Sequence, residues 1–271
     1  MNKKISFIGV GNMAGAIILG ITRDKAVADE NICVFDVDKS KYDKYSGRKF
    51  KFADSPAEAI AYGDYTVLAV KPQNYRELLT ALKDNGTDLC NKVFISLAAG
   101  VSTDAICGIL GTDAAIVRTM PNTPLLVGCG VTALCKNRFV SDDDFANIKS
   151  IFDSMGMTVM LDESDMNKVI SVTGSSPAYV FAFIKALCDG AVAQGLCYDE
   201  LKESACRAVI GSATLLMNSD KTPDELIAMV TSKGGTTEKA MLELEKYKFE
   251  EGIAEAMKRC TERAETLGET L

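Results

Sequence analysis

The chain has 271 residues, 47% hydrophobic and 25% charged, with 37 acidic against 30 basic side chains and a net charge of −7. These values are ordinary for a globular protein and exclude disorder or a fibrous repeat over the whole chain; with no Lys/Arg-rich run, nucleic acid is excluded as a partner. Histidine is absent, which removes the commonest general acid/base and rules out Ser-His-Asp and Cys-His mechanisms.

At about 150 residues per domain the length points to two domains. Residues 5–10 form a short apolar run ending in glycines, and residues 13–22 have helical spacing. Between them Gly9-Val10-Gly11-Asn12-Met13-Ala14 matches G-x-G-x-x-A. Gly9 would allow the tight turn, Gly11 the approach of a pyrophosphate, and Ala14 close helix–strand packing. The helix start would add amide donors; the bland alternative is a glycine turn without a ligand.

Residues 32–36 read as a second strand ending in Asp36, where an acidic residue bonds the adenosine ribose hydroxyls. A carboxylate there disfavours a 2′-phosphate and tips the expected cofactor from NAD(P)H in general towards NADH. Lys39 and Lys41 follow closely and could pair with that phosphate instead. Ser55 caps a helix with Pro56 in its first turn and Glu58 closing a capping box. A third strand at 65–70 runs into Ala69-Val70-Lys71-Pro72, and a helix follows at 74–83. Strands at 93–97 and 115–119 flank a helix at 103–110. Leu97-Ala98-Ala99-Gly100 is a strand end whose small residues would let a nicotinamide lie against backbone. Residues 131–134 add a strand, Ser141 caps a helix at 142–155, and 158–161 is the last strand. Strands rich in Val, Ile and Leu without strict alternation fit a parallel sheet covered on both faces. The expected fold is therefore α/β, with a doubly wound Rossmann domain over residues 1–163.

After a Gly/Ser/Pro break at 174–177 only helical patterns remain, at 178–194, 199–217, 222–230, 238–245 and 249–267. Residues 164–271 are expected to form an all-helical domain. Its helices are apolar on more than one face, notably at 178–187 and 205–216, which calls for a second copy to cover them. No run of about 18 apolar residues is present, so no membrane span is expected. The nine cysteines have no C-x-x-C spacing and read as reduced core residues of a cytoplasmic protein, without a metal site.

Three further motifs occur in order: Arg118-Thr119-Met120-Pro121-Asn122-Thr123-Pro124, Val172-Thr173-Gly174-Ser175-Ser176-Pro177-Ala178-Tyr179, and Val230-Thr231-Ser232-Lys233-Gly234-Gly235-Thr236-Thr237-Glu238. With the glycine fingerprint they make the chain resemble pyrroline-5-carboxylate reductases over nearly its full length. The resemblance implies reduction of 1-pyrroline-5-carboxylate to proline with NAD(P)H, and a helical dimerisation domain whose dimers often assemble into larger rings, such as a decamer. Carried over by position, it places Ile8, Gly9, Val10, Gly11, Asn12, Met13, Ala69, Val70, Lys71, Pro72, Leu97, Ala98 and Ala99 at the cofactor, with Asn122 near the nicotinamide. It gives the substrate to Ser232, Gly234, Gly235, Thr236 and Thr237.

The residues suit that chemistry. Two glycines before a helix start would turn amides towards one point, and three hydroxyls would add donors for a small carboxylate. A protonated imine arrives electrophilic, so hydride transfer needs positioning more than a strong acid. Thr237 is the candidate for bonding the imine nitrogen, or a water could do so. Lys168 reads as a solvated helix residue, and Tyr179 could stack in the cleft or pack between helices. A reductase of another imino or keto acid, and a dinucleotide sensor without catalysis, are the competing expectations.

Overall fold

The computed structural model describes residues 3–23 and 25–269. Its sheet has eight strands: β1 (Ile5–Ile8), β2 (Ile32–Phe35), β3 (Lys51–Phe52), β4 (Tyr65–Leu68), β5 (Val93–Ser96), β6 (Ala115–Met120), β7 (Gly130–Lys136) and β8 (Gly156–Met160). They lie in the order β3-β2-β1-β4-β5-β6-β7-β8. The first six follow the doubly wound 3-2-1-4-5-6 pattern.

Helices α1 (Asn12–Arg23), α2 (Pro56–Tyr62), α3 (Tyr75–Asp84), α4 (Thr103–Leu110) and α5 (Asp142–Asp153) supply the crossovers. Their caps were legible. Ser55 Oγ accepts the Glu58 amide at 3.2 Å, and Ser141 Oγ accepts the Asp144 amide at 3.1 Å. The Glu58 carboxylate reaches back to the Asp54 amide at 2.8 Å, one residue before the expected capping-box partner.

Alternate strand residues feed two buried layers. Phe7, Val34, Val67 and Ile95 pack with Ile17 and Ile21 of α1 and Ile148 and Phe152 of α5. Ile8, Cys33, Leu68 and Phe94 pack with Ile60 of α2, Leu79 of α3 and Ile106 of α4.

Three features depart from expectation. Strand β7 runs antiparallel to β6, because the short 3-10 turn Thr123–Val127 cannot make the long crossover that a parallel partner needs. The segment Lys39–Tyr45 is a 3-10 helix and β3 is a two-residue edge strand, neither of which has an apolar rhythm to announce it. Of the nine free cysteines, Cys33, Cys135 and Cys188 are buried, while Cys90, Cys129 and Cys197 are exposed. The reading of the cysteines as core residues therefore holds for only some of them.

Contacts divide the chain into one unit of Met1–Ser175 with Arg259–Leu271, and a second of Ser176–Lys258. The second unit holds α6 (Ser176–Ala193), α7 (Tyr198–Met217), α8 (Pro223–Val230), α9 (Thr236–Lys246) and the first part of α10 (Phe249–Glu269). Large apolar side chains are open to solvent there, among them Phe181 at 65%, Ile210 at 64% and Met217 at 77% exposure. The last turns of α10 belong to the first unit. A Cβ on Gly100 would strike the Ala264 carbonyl, and one on Gly268 would strike the Gly100 carbonyl.

Candidate active site

The residues assigned to the cofactor gather at the carboxyl ends of adjacent strands. Ile8 pairs with Leu68 and Leu68 with Ser96. The loops that follow, from Gly9, Ala69 and Leu97, therefore leave the sheet side by side, where doubly wound sheets bind ligands. A cleft of about 830 Å³ lined by Lys3, Lys83, Lys92 and Val93 opens at the opposite, amino-terminal end and lacks this geometry.

Gly9 has φ +95°, and a Cβ there would lie 2.8 Å from the Ala69 carbonyl oxygen. The close approach of β1 and β4 demands glycine. At Gly11 a Cβ would meet nothing within 4 Å, so the space in front of the α1 start is open. An open cradle bounded by helix amides fits a dinucleotide pyrophosphate.

The Val10 peptide is held from both sides. Its N–H donates to Asp36 Oδ2 at 2.8 Å, and Lys44 Nζ donates to its carbonyl at 2.8 Å. Asp36 is buried, and its carboxylate also accepts the Asp38 amide at 2.9 Å and the Lys41 ammonium at 2.9 and 3.0 Å. Burial pushes the Asp36 carboxyl up, but the Val10 and Asp38 amides and Lys41 outweigh it and hold the group below the usual carboxylate range. Asp36 thus shapes the glycine loop while its charge is largely matched by Lys41. Lys39 donates to the Ala53 carbonyl at 3.0 Å. Lys44 is pushed down by burial and by Lys41. Lys44 had no place in the expected site, because nothing in the sequence ties a lysine there to Val10.

Asn122 is buried with both ends of its amide engaged. It donates to the Thr173 carbonyl at 2.9 Å and accepts the Val131 amide at 2.8 Å. Two residues before the end of β6, Arg118 is 2% exposed. Its Nη2 donates to Asn167 at 2.5 Å, and its Nη1 lies 3.7 Å from Glu163. Glu163 in turn accepts the Thr103 amide at 2.7 Å and the Thr103 hydroxyl at 2.8 Å. Burial pushes the Arg118 guanidinium down, opposed by Glu163, and its Nε has no hydrogen-bond partner. Arg118 and Asn122 together pin residues 163–173 to β6 and the turn that follows it. That segment ends in a single π-helical stretch, Ile170–Gly174, a feature concentrated at functional sites. Lys168 is exposed and pairs with Asp165 at 2.7 Å, a solvated residue as expected.

In the helical unit, Ser232, Gly234, Gly235, Thr236 and Thr237 form the entry to α9. Gly235 is the N-cap residue and offers no side-chain cap. The expected amide cluster differs in detail. The Gly235 amide donates to Ser232 O at 2.9 Å and the Gly234 amide to Glu238 Oε2 at 2.9 Å. The donors left by the helix geometry are the first-turn amides, beginning at Thr236 and Thr237. Thr231, just before the loop, keeps a buried hydroxyl without a partner. Glu238 went unassigned in the sequence, although its place three residues beyond a helix start was the available signal.

A doubly wound sheet with an open glycine cradle at its carboxyl edge, followed by a helical unit, defines a pyridine-nucleotide oxidoreductase of the Rossmann-plus-helical class. A profile described as "Pyrroline-5-carboxylate reductase dimerisation" matches residues 163–267, and one described as "NADP oxidoreductase coenzyme F420-dependent" matches residues 4–100. Pyrroline-5-carboxylate reductase of Escherichia coli K12 is 37% identical, with all of both chains covered. The pyrroline carboxylate reductase of Plasmodium falciparum, solved with NADP bound, superposes with TM-score 0.91 at 30% identity, covering 98% of each chain. That of Streptococcus pyogenes gives TM-score 0.89 at 28% identity, covering 97% of this chain and 98% of the other. The chain belongs to the pyrroline-5-carboxylate reductase family.

The segment Ile170–Ala193 is long and apolar enough to cross a membrane by length and composition only. It lies inside the match to the dimerisation profile.

Proposed function

We propose that this chain reduces 1-pyrroline-5-carboxylate to L-proline, with the loop at the start of α9 as the carboxylate-binding element. The observation that carries the reading is that loop. Free first-turn amides at Thr236 and Thr237 and the hydroxyls of Ser232, Thr236 and Thr237 stand together in a chain of this family. A helix start attracts an anion, so the substrate carboxylate is held there and the Thr237 hydroxyl is assigned to the ring nitrogen.

Bound in the cradle, a reduced nicotinamide dinucleotide supplies the hydride. The chain's own work is orientation. Gly9 makes the tight turn against Ala69, Gly11 lets backbone approach the pyrophosphate, Ala69, Val70, Lys71, Pro72, Leu97, Ala98 and Ala99 border the cleft, and Asn122 fixes the end of β6. The C=N pair of a protonated imine passes to nitrogen as carbon accepts hydride, so no strong acid is needed. This suits a chain without histidine.

We place NADH ahead of NADPH by a narrow margin. Asp36 stays ionised at the end of β2, but Lys41, with Lys39 and Lys44 nearby, damps the repulsion that a 2′-phosphate meets. The exposed apolar face of the helical unit, including the membrane-like stretch, is read as the contact with a second copy, and the dimers as units of a larger ring such as a decamer. The location is read as cytoplasmic, a reading that the nine free cysteines support.

The test is turnover of 1-pyrroline-5-carboxylate with each dinucleotide, following loss of reduced-nicotinamide absorbance and formation of proline. Thr237→Ala should lower kcat/KM at least tenfold, and unchanged kinetics would remove that residue from the site. No proline from a folded protein that still binds nucleotide would overturn the function.

A further inference from the structure

Helix α9 starts without a side-chain cap, because its N-cap residue is Gly235. In compensation the chain supplies its own carboxylate. Glu238, in the first turn, turns back over the loop, and its Oε2 accepts the Gly234 amide at 2.9 Å. The same loop is the proposed receptor for the substrate carboxylate. One anion is thus already present where a second must bind. A helix start carries the equivalent of about half a positive charge, which cannot match two carboxylates at once.

Resting on the function proposed above, we infer that Glu238 is a specificity-determining residue: an internal carboxylate that competes with the substrate's carboxylate for the α9 start. It takes the amide on the loop side and leaves the Thr236 and Thr237 amides for substrate. Glu238 weakens the binding of any ring that bears a carboxylate, and leaves rings without one nearly untouched. Charge, rather than the hydrogen bond to Gly234, is the property that acts. Glu238 also lines a groove with Thr231 and Met241, so its carboxylate lies beside the loop and not on a remote face.

The experiment separates charge from capping. Glu238→Gln keeps an acceptor for the Gly234 amide and removes the charge, whereas Glu238→Ala removes both. KM and kcat are measured for 1-pyrroline-5-carboxylate and for 1-pyrroline, the same ring without a carboxylate. At partly solvated carboxylate separations the repulsion corresponds to about three- to tenfold in affinity. In Glu238→Gln the KM for 1-pyrroline-5-carboxylate should therefore fall by about that factor relative to the KM for 1-pyrroline. If 1-pyrroline is too slow a substrate, inhibition by L-proline and by pyrrolidine gives the same comparison. Glu238→Ala should show the same relative shift, with any loss from the loop falling on both ligands alike. Equal shifts of both ligands in Glu238→Gln, no shift, or a rise in KM for the carboxylate substrate would each overturn the proposal. Failure of the unsubstituted protein to make proline would instead overturn the function on which it rests.

Discussion

Removing Glu163 should cost far more stability than removing the arginine it serves. Arg118 is 2% exposed, and Glu163 is the carboxylate facing its guanidinium, 3.7 Å away. Stripping the partner from a buried charge costs about 3–5 kcal/mol. The distance and the 35% exposure of the Glu163 side chain reduce that to about 2 kcal/mol. Glu163→Ala also strands the Thr103 amide and hydroxyl, adding about 1–2 kcal/mol. The sum, about 3–4 kcal/mol, corresponds to a fall in Tm of about 6–16 °C. Arg118→Met removes the charge and its orphaned Nε together, leaves both Thr103 bonds in place, and should cost less than about 1.5 kcal/mol. In the double variant, Arg118→Met should recover about 1 kcal/mol of the Glu163→Ala loss, because relief of the bare charge outweighs loss of the Asn167 hydrogen bond. Urea unfolding at one fixed protein concentration measures all three, since the proposed assembly would make apparent stability concentration-dependent. A larger loss for Arg118→Met than for Glu163→Ala, or no recovery in the double variant, would refute the reasoning.

Lys41→Ala should lower kcat/KM for NADPH about tenfold more than for NADH, because it removes a cation available to the 2′-phosphate and leaves Asp36 less compensated; paired kinetics with the two dinucleotides decide this. Gly9→Ala should weaken dinucleotide binding more than tenfold, since its Cβ must displace the Ala69 backbone at a φ of +95°; calorimetric titration would show unaltered affinity if β1 and β4 can part cheaply. The folded pKa of Asp36 is depressed, so its stabilising effect is complete above the unfolded value of about 3.9 and is lost as pH falls through the lower folded value. Urea midpoints taken downward from pH 5 should therefore decline less steeply in Asp36→Asn than in the unsubstituted protein, and parallel slopes would contradict the assignment.

What the sequence disclosed was whatever repeats a local rule. The glycine fingerprint, the Ser55 and Ser141 caps, the strand runs and the helical second half each depend on spacing within a few residues. The direction of β7 was hidden because it depends on how far the turn after β6 can reach. Asp36 was found at its strand end, but its neutralisation by Lys41 and its grip on the Val10 amide depend on the 3-10 helix at Lys39–Tyr45, which has no apolar rhythm. Arg118 enters the sequence reading only as part of a motif, and its burial is a finding of the structure. Its partners Glu163 and Asn167 lie far along the chain, and only the fold brings them to it. The loop before α9 stands out in the sequence by its two glycines and three hydroxyls, whereas the Glu238 contact that fills part of it depends on a side-chain conformation.

The Gly100–Gly268 contact has a bearing on synthesis. The nucleotide-binding unit is discontinuous in sequence, closed by the turns of α10 at the far end of the chain. A nascent chain that has finished all eight strands still lacks the piece that packs on Gly100. Ribosomes add roughly 5–20 residues per second, so the residues after β8 emerge over several seconds before that piece arrives. As they emerge, the apolar helices α6 to α9 precede the segment that closes the nucleotide-binding unit. The chain should therefore lean on chaperones late in translation, and disruption of the Ala264–Gly268 turn should harm folding more than its small size suggests.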